Sequence, residues 1–140
     1  MEKFLELERQ VGNNNMTNYQ IGDFLIRLKN ASMANIKEVV FPKTKLVLEV
    51  AKILKIEKFL DSVEEKDENV IVKLSIFSKK PVLSNVTIIS KPGLRIYMSA
   101  DELEKIKTPD VYILTTPKGV LSGKMAMKLR VGGEVIAKII

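Results

Sequence analysis

The hydrophobic pattern of this chain changes period along its length, and that change narrows the possible folds more than any other feature. Ile21, Phe24, Leu25 and Leu28 recur at the spacing of one helix face, leaving Asp23, Arg27 and Asn30 off the stripe. Leu46, Val50, Ile53 and Leu54 repeat the pattern up to about Lys55, behind Thr44, whose hydroxyl suits a helix N-cap. Elsewhere the apolar residues come mostly in short runs bounded by Gly, Pro, Ser, Asn and charged residues, as in strands joined by turns.

The order of elements follows. A helix from Asn18 leads to a strand, KEVVFP, stopped by Pro42, and then to the Thr44-capped helix. FLDSVEE and NVIVKLSIF, split by KDE, predict a hairpin, so this half reads α-β-α-β-β. Beyond it NVTIIS, LRIYM, VYILTT and EVIAKII read as strands, and KPG between the first two suits a type II turn. Ser99 with Glu102 forms a capping-box pattern opening ADELEKI, and Ser122 can cap a second short helix, GKMAMKL, reached from VYILTT through a PKG loop. The expectation is an α+β chain of two lobes: an N-terminal α/β lobe over 16–80 and a C-terminal, mainly β lobe with short helices over 81–140. The boundary falls near SKKPVLS. Residues 1–15 are expected to be an extension, with an amphipathic helix through Phe4, Leu5 and Glu8 followed by a GNNN linker.

Composition excludes several classes of chemistry. The 140 residues contain no cysteine, which rules out disulfides and thiolate nucleophiles or ligands and suits a reducing cytosol. Histidine is absent too, removing the usual general base near neutral pH and the commonest metal ligand. No cofactor or metal is expected, and the apolar runs are far too short to span a membrane. The glutamates of MEKFLELERQ fit neither a secretory signal nor an acid-poor transit peptide.

The net charge of +6 is unevenly placed. Residues 1–70 hold 11 Lys and Arg against 12 Asp and Glu, whereas residues 71–140 hold 12 against 5. A polyanion-binding second lobe would explain the asymmetry; scattered solubilising lysines are the alternative.

Three motifs could carry function. Thr115 and Thr116 end a strand ahead of Pro117, Lys118, Gly119 and the possible cap at Ser122. Hydroxyls and helix N-terminal N–H groups gathered there would suit phosphate oxygens, 2′-hydroxyls or base edges, with Lys118, Lys124, Lys128 and Arg130 adding charge. The spacing is not that of a nucleotide phosphate loop, and an ordinary turn with Gly119 at φ > 0 is the alternative. In SKPGLRIY, Arg95 and Tyr97 alternate onto one strand face opposite Leu94 and Ile96, a pairing suited to RNA or simply to a solvated arginine beside a half-buried tyrosine. Gly132 and Gly133 permit close approach of a backbone or ligand beside Glu134, which could accept from a base or sugar or form a salt bridge with one of the nearby lysines. The carboxylates between residues 61 and 68 lie on the expected hairpin turn without a calcium-loop pattern, and the methionines of KMAMK read as core filling.

DFLIRLKNA, PKTKL, SKPGLRIY, TTPKGVLS and GGEVIAKII occur in one order from residue 23 to residue 140. On these motifs the chain resembles the bacterial-type small-subunit ribosomal protein S-eight family from Thr17 to Ile140. The resemblance implies a cytoplasmic, ribosomal, non-enzymatic protein whose second lobe binds a central-domain helix of the small-subunit rRNA. It further implies neighbouring small-subunit proteins as partners, protein S-five among them, and in some bacteria repression of an operon mRNA that imitates the rRNA site. By position it implies that Thr115, Thr116, Lys118 and Gly119 meet the irregular core of that helix, with Gly133 and Glu134 beside them and Arg95 and Tyr97 on the adjoining sheet. Arg27, Lys29, Asn30, Lys43 and Lys45 would face neighbouring sugar-phosphate backbone. The family loop usually reads Ser-Thr-Ser, so Pro117 deletes a hydroxyl and an N–H and stiffens the loop. Two other functions remain from the residues alone: an enzyme using the anion site on phosphorylated substrates, and a non-ribosomal RNA-binding or protein-interaction module.

Overall fold

The computed structural model describes residues 13–140. Helix α1 spans Asn13–Met33, so the asparagines expected in a linker lie within its first turn, a place where Asn is well tolerated. The helix expected through Phe4, Leu5 and Glu8 lies outside the described residues. Ile21, Phe24, Leu25 and Leu28 are fully buried, as their spacing requires.

After α1 come β1 (Glu38–Pro42), α2 (Lys45–Ile56), β2 (Leu60–Lys66) and β3 (Asn69–Leu74). The strands form an antiparallel sheet in the order β1-β3-β2. Thr44 caps α2 by accepting from the Val47 N–H at 3.1 Å. Val39, Leu60, Val70, Val72 and Leu74 bury one face of the sheet in the same cluster as both helices, while the acidic residues Glu64, Glu65, Asp67 and Glu68 stay in solvent. The α-β-α-β-β order is therefore present.

NVIVKLSIF, read as a single strand, breaks at Ser75. The Ser75 N–H donates to the Phe59 carbonyl, and β4 (Ile76–Phe77) and β5 (Lys80–Pro81) turn back as a separate small hairpin. The second sheet follows, built from β6 (Val86–Ile88), β7 (Tyr97–Met98), β8 (Val111–Thr116), β9 (Gly119–Ser122) and β10 (Gly133–Ile139). β10 pairs antiparallel with β6, β7 and β8, and β9 lies outside β8. Short helices α3 (Ala100–Glu104) and α4 (Gly123–Lys128) carry the expected caps: a capping box between Ser99 and Glu102, and Ser122 accepting from the Met125 N–H.

This sheet is covered on both faces. Val86, Ile113, Val120, Ala137 and Ile139 join the core that also contains α1 and α2. Leu114, Leu121 and Val135 form a second cluster with Leu103 and Ala126 from the short helices. A bulge between Val135 and Ala137 switches the alternation of β10, so these two residues serve different clusters although they are two apart in sequence. The protein is thus a two-lobed α+β fold with a core running from the helices of the first half into the sheet of the second.

Candidate nucleic-acid interface

The residues 115–119 do not form the strand-loop-helix turn expected from sequence. They form a hairpin: Thr115 pairs with Val120 and Thr116 with Gly119. Pro117 and Lys118 occupy the turn and Gly119 follows with φ of 103°, the arrangement of a tight turn closed by a left-handed glycine. Proline fits the first turn position because its φ is already fixed there.

The hairpin separates two features that the sequence had placed together. Ser122 ends β9 opposite Ile113, well back along β8 from Thr116, and is only 1% exposed. Its hydroxyl is engaged as the α4 cap, so neither that hydroxyl nor the helix N-terminus reaches the turn. Lys124 and Lys128 belong to α4, on the other face of the sheet. Arg130 turns toward α3, 3.6 Å from Asp101 and 3.8 Å from Glu104. Of the four cations expected around the turn, Lys118 alone is on it.

The two threonines also differ. Thr116 donates its hydroxyl to the Gly119 carbonyl at 2.8 Å and accepts from the Lys118 N–H at 3.1 Å, so it holds the turn closed. The Thr115 hydroxyl has no protein hydrogen bond among the described residues and remains available.

Strand register then lines up the rest of the site. Thr115 lies opposite Glu134, and Glu134 opposite Tyr97, so Val120, Thr115, Glu134 and Tyr97 form one row across β9, β8, β10 and β7. Directly opposed residues of antiparallel strands share a face. Val120 marks that face as the one that packs, farther along, against the first-half helices. Arg95, two residues before Tyr97, brings its guanidinium 3.3 and 3.5 Å from the two Glu134 carboxylate oxygens. Glu134 is buried, Tyr97 is 66% exposed, and Arg95 forms an ion pair with Glu134, a partner distant in sequence that the spacing did not single out. The carboxylate satisfies part of the arginine's charge and constrains where its guanidinium lies.

Glycines make this close packing possible. A Cβ on Gly133 would stand 2.2 Å from the Thr115 carbonyl oxygen, and one on Gly132 would stand 2.5 Å from that of Met98. The close approach allowed by the two glycines is therefore that of backbone. Ser90 supplies a support that sequence spacing did not mark: its hydroxyl accepts from the Ile96 N–H at 2.9 Å and lies 3.3 Å from the Ile96 carbonyl it donates to. That bracket holds the strand between Arg95 and Tyr97. The preceding turn is closed by backbone bonds between Lys91 and Leu94, but Gly93 lacks the positive φ of a type II turn. LRIYM is strand only at Tyr97–Met98, and Leu94 is exposed rather than facing the core.

The first lobe contributes from α2. A Cβ on Gly119 would lie 3.6 Å from Glu49 Oε1, so this face of α2 abuts the turn. Lys45, one helical turn before Glu49, lies on the same face and adds an exposed cation at the site's edge. The spacing of Lys45 and Glu49 was visible in the sequence, but their proximity to Gly119 was not.

The remaining expected contacts are placed elsewhere. Arg27 donates to the Val40 carbonyl at 3.0 Å and lies 5.2 Å above the Phe41 ring, so it joins α1 to β1. Asn30 lines the groove between those elements, and Lys29 is half-buried on α1. Lys43 is 3.5 Å from Glu65. In the same groove, burial pushes the Asp23 carboxyl above its ordinary pKa, with nearby Arg27 opposing the shift. Among the described residues no group of His, Cys, Asp and Glu is arranged to hold a metal ion.

Fold and surface together give an α+β protein of two lobes, with the Thr116–Gly119 hairpin and a polar sheet end beside α2 of the first lobe. A family model described as ribosomal protein S8 matches residues 19–140, and the chain belongs to that family. Its relatives include small ribosomal subunit protein uS8 of Pelagibacter ubique, 41% identical over 124 residues, covering 85% of this chain and 95% of the relative. The Koribacter versatilis protein of the same name is 40% identical over 131 residues, covering 89% and 98%, and that of Mesoplasma florum 37% over 126 residues, covering 87% and 98%. This is a family of structural ribosomal proteins rather than of enzymes.

Proposed function

We propose that this protein is a structural component of the small ribosomal subunit that binds a central-domain helix of the small-subunit rRNA and helps to assemble the surrounding region. The observation that carries the RNA surface is the row of Thr115, Glu134 and Tyr97, flanked by Arg95 and ending at the Lys118 turn. A regular A-form helix hides its major groove, so a polar, partly aromatic surface of this kind fits an irregular internal loop with accessible bases and 2′-hydroxyls. Tyr97 supplies an exposed ring and hydroxyl, Thr115 a free hydroxyl, and Lys118 and Lys45 phosphate contacts. Thr116, Gly119 and Gly133 shape the surface, and Glu134 orients Arg95.

In this proposal residues 16–80 and 81–140 are the two lobes and residues 1–15 an extension. Lys29, Asn30 and Lys43 meet the backbone of neighbouring RNA away from the row, and Ser122 is a helix cap. Protein S-five is the proposed protein neighbour, and an operon mRNA that imitates the rRNA helix would use the same row. Binding to the internal-loop hairpin and to a fully paired RNA of equal length, at several salt concentrations, tests the proposal. The hairpin should bind on the order of a thousandfold tighter, and Lys118→Ala should lower the salt slope by roughly one. Equal affinity for both RNAs would defeat specific recognition, and an unchanged slope would remove Lys118 from it.

A further inference from the structure

The β4–β5 hairpin is absorbed by neither the core nor the RNA row. Phe77 is 76% exposed, the largest value among the exposed large apolar side chains of the described residues. It lies directly opposite Lys80, so its ring and that ammonium share one face of the hairpin. Ser78 and Lys79 form the two-residue turn with φ of 52° and 67°, a conformation that favours glycine or asparagine over these residues. Neither lysine forms an ion pair among the described residues.

The base of the hairpin is anchored while its tip is open. Val82 N–H donates to the Ser75 carbonyl at 2.9 Å, the Ser32 hydroxyl donates to the Leu83 carbonyl, and Leu83 is fully buried. The chain then enters β6, where Val86 pairs with Ile139, and Ser84 and Asn85 donate to the Ile140 carbonyl. That is the end of the second sheet opposite to Thr115 and Glu134, separated along β10 by the five residues from Glu134 to Ile139, roughly 17 Å at the usual rise of a strand. A hairpin anchored at its base thus holds an open aromatic ring and two unpaired cations well away from the first surface.

We propose that the hairpin tip is a second RNA contact: Phe77 takes an unpaired base, and Lys79 and Lys80 take phosphates, on a segment distinct from the one held by Thr115 and Lys118. The inference rests on the RNA-binding function proposed above. Charge favours RNA over a protein partner, because an apolar protein surface would have to desolvate two ammonium groups, whereas a phosphate backbone neutralises them. A ring beside cations also stacks on any base without requiring a particular sequence.

The test compares Phe77→Ala, Phe77→Tyr, a Lys79→Ser/Lys80→Ser double variant and Lys118→Ala. Each binds two RNAs across a salt series: the isolated internal-loop helix and the complete central domain of the small-subunit rRNA. Circular dichroism checks that every variant is folded. Phe77→Ala should weaken central-domain binding about tenfold, Phe77→Tyr should retain it, and the double variant should lower the salt slope by roughly 1.5. None of the three should alter binding to the short helix, while Lys118→Ala should weaken both. Wild-type binding of the large RNA by the hairpin variants, with Lys118→Ala still impaired, overturns this proposal and leaves the first surface standing. Equal losses on both RNAs would overturn the separate segment. Loss confined to the hairpin variants, with Lys118→Ala normal on both RNAs, would instead sustain the hairpin contact and count against the first surface.

Discussion

Replacing Gly133 by alanine is a sharp test of how the site is held. The new Cβ would stand 2.2 Å from the Thr115 carbonyl oxygen, and 3.0 Å from both the Thr115 carbonyl carbon and Thr116 Cγ2. Relief to ordinary van der Waals contact, about 3.3 Å or more, needs a displacement of about 1 Å between β10 and β8. Neither strand moves freely: Val135 and Leu114, close by on each strand, are fully buried in the second cluster. Overpacking of this kind costs about 1–3 kcal/mol, and it would separate Glu134 from Thr115 within the binding row. Urea unfolding should therefore show a lower midpoint with an unchanged slope, and RNA affinity should fall as well. Gly22→Ala is the matched comparison, because nothing lies within 4 Å of the place its new methyl group would take on α1. It should stabilise by about 0.5–1 kcal/mol, the usual gain of alanine over glycine inside a helix. If Gly133→Ala were as stable as the parent and bound RNA equally well, close backbone approach could not be what fixes this row.

Two further substitutions separate folding from binding. Ser122→Ala should cost about 1 kcal/mol through loss of the α4 cap, with RNA affinity of the folded protein unchanged; a selective affinity loss at unaltered stability would return Ser122 to the interface. Asp23→Asn should raise the melting temperature at neutral pH, because the folded pKa is raised and ionisation therefore disfavours the native state. The sign follows from linkage: the carboxyl's relative contribution is most favourable below its unfolded pKa and is lost as pH rises through the folded value. The advantage of Asp23→Asn should therefore fade in acid, and an advantage that instead grew in acid would contradict burial as the main cause.

Local chemistry determined much of this protein. Spacing placed the buried stripe of α1, Thr44, Ser99 and Ser122 capped their helices as expected, and the five shared motifs pointed to the ribosomal family. These signals were legible because a helix face, a cap and a motif each depend on residues a few positions apart. The missed strand β9 shows the limit: GVLS is as compatible with a loop as with a strand until β8 offers it a ladder. Which of two neighbouring threonines keeps a free hydroxyl also depended on that pairing, since the turn engages Thr116 and spares Thr115. Tertiary structure alone set Arg95 on Glu134, Glu49 beside Gly119, and Arg130 on the carboxylates of α3. Each of these contacts joins distant segments, and its partner is chosen by strand register and helix packing, which bury apolar faces of the whole chain at once rather than satisfying any one stretch of it.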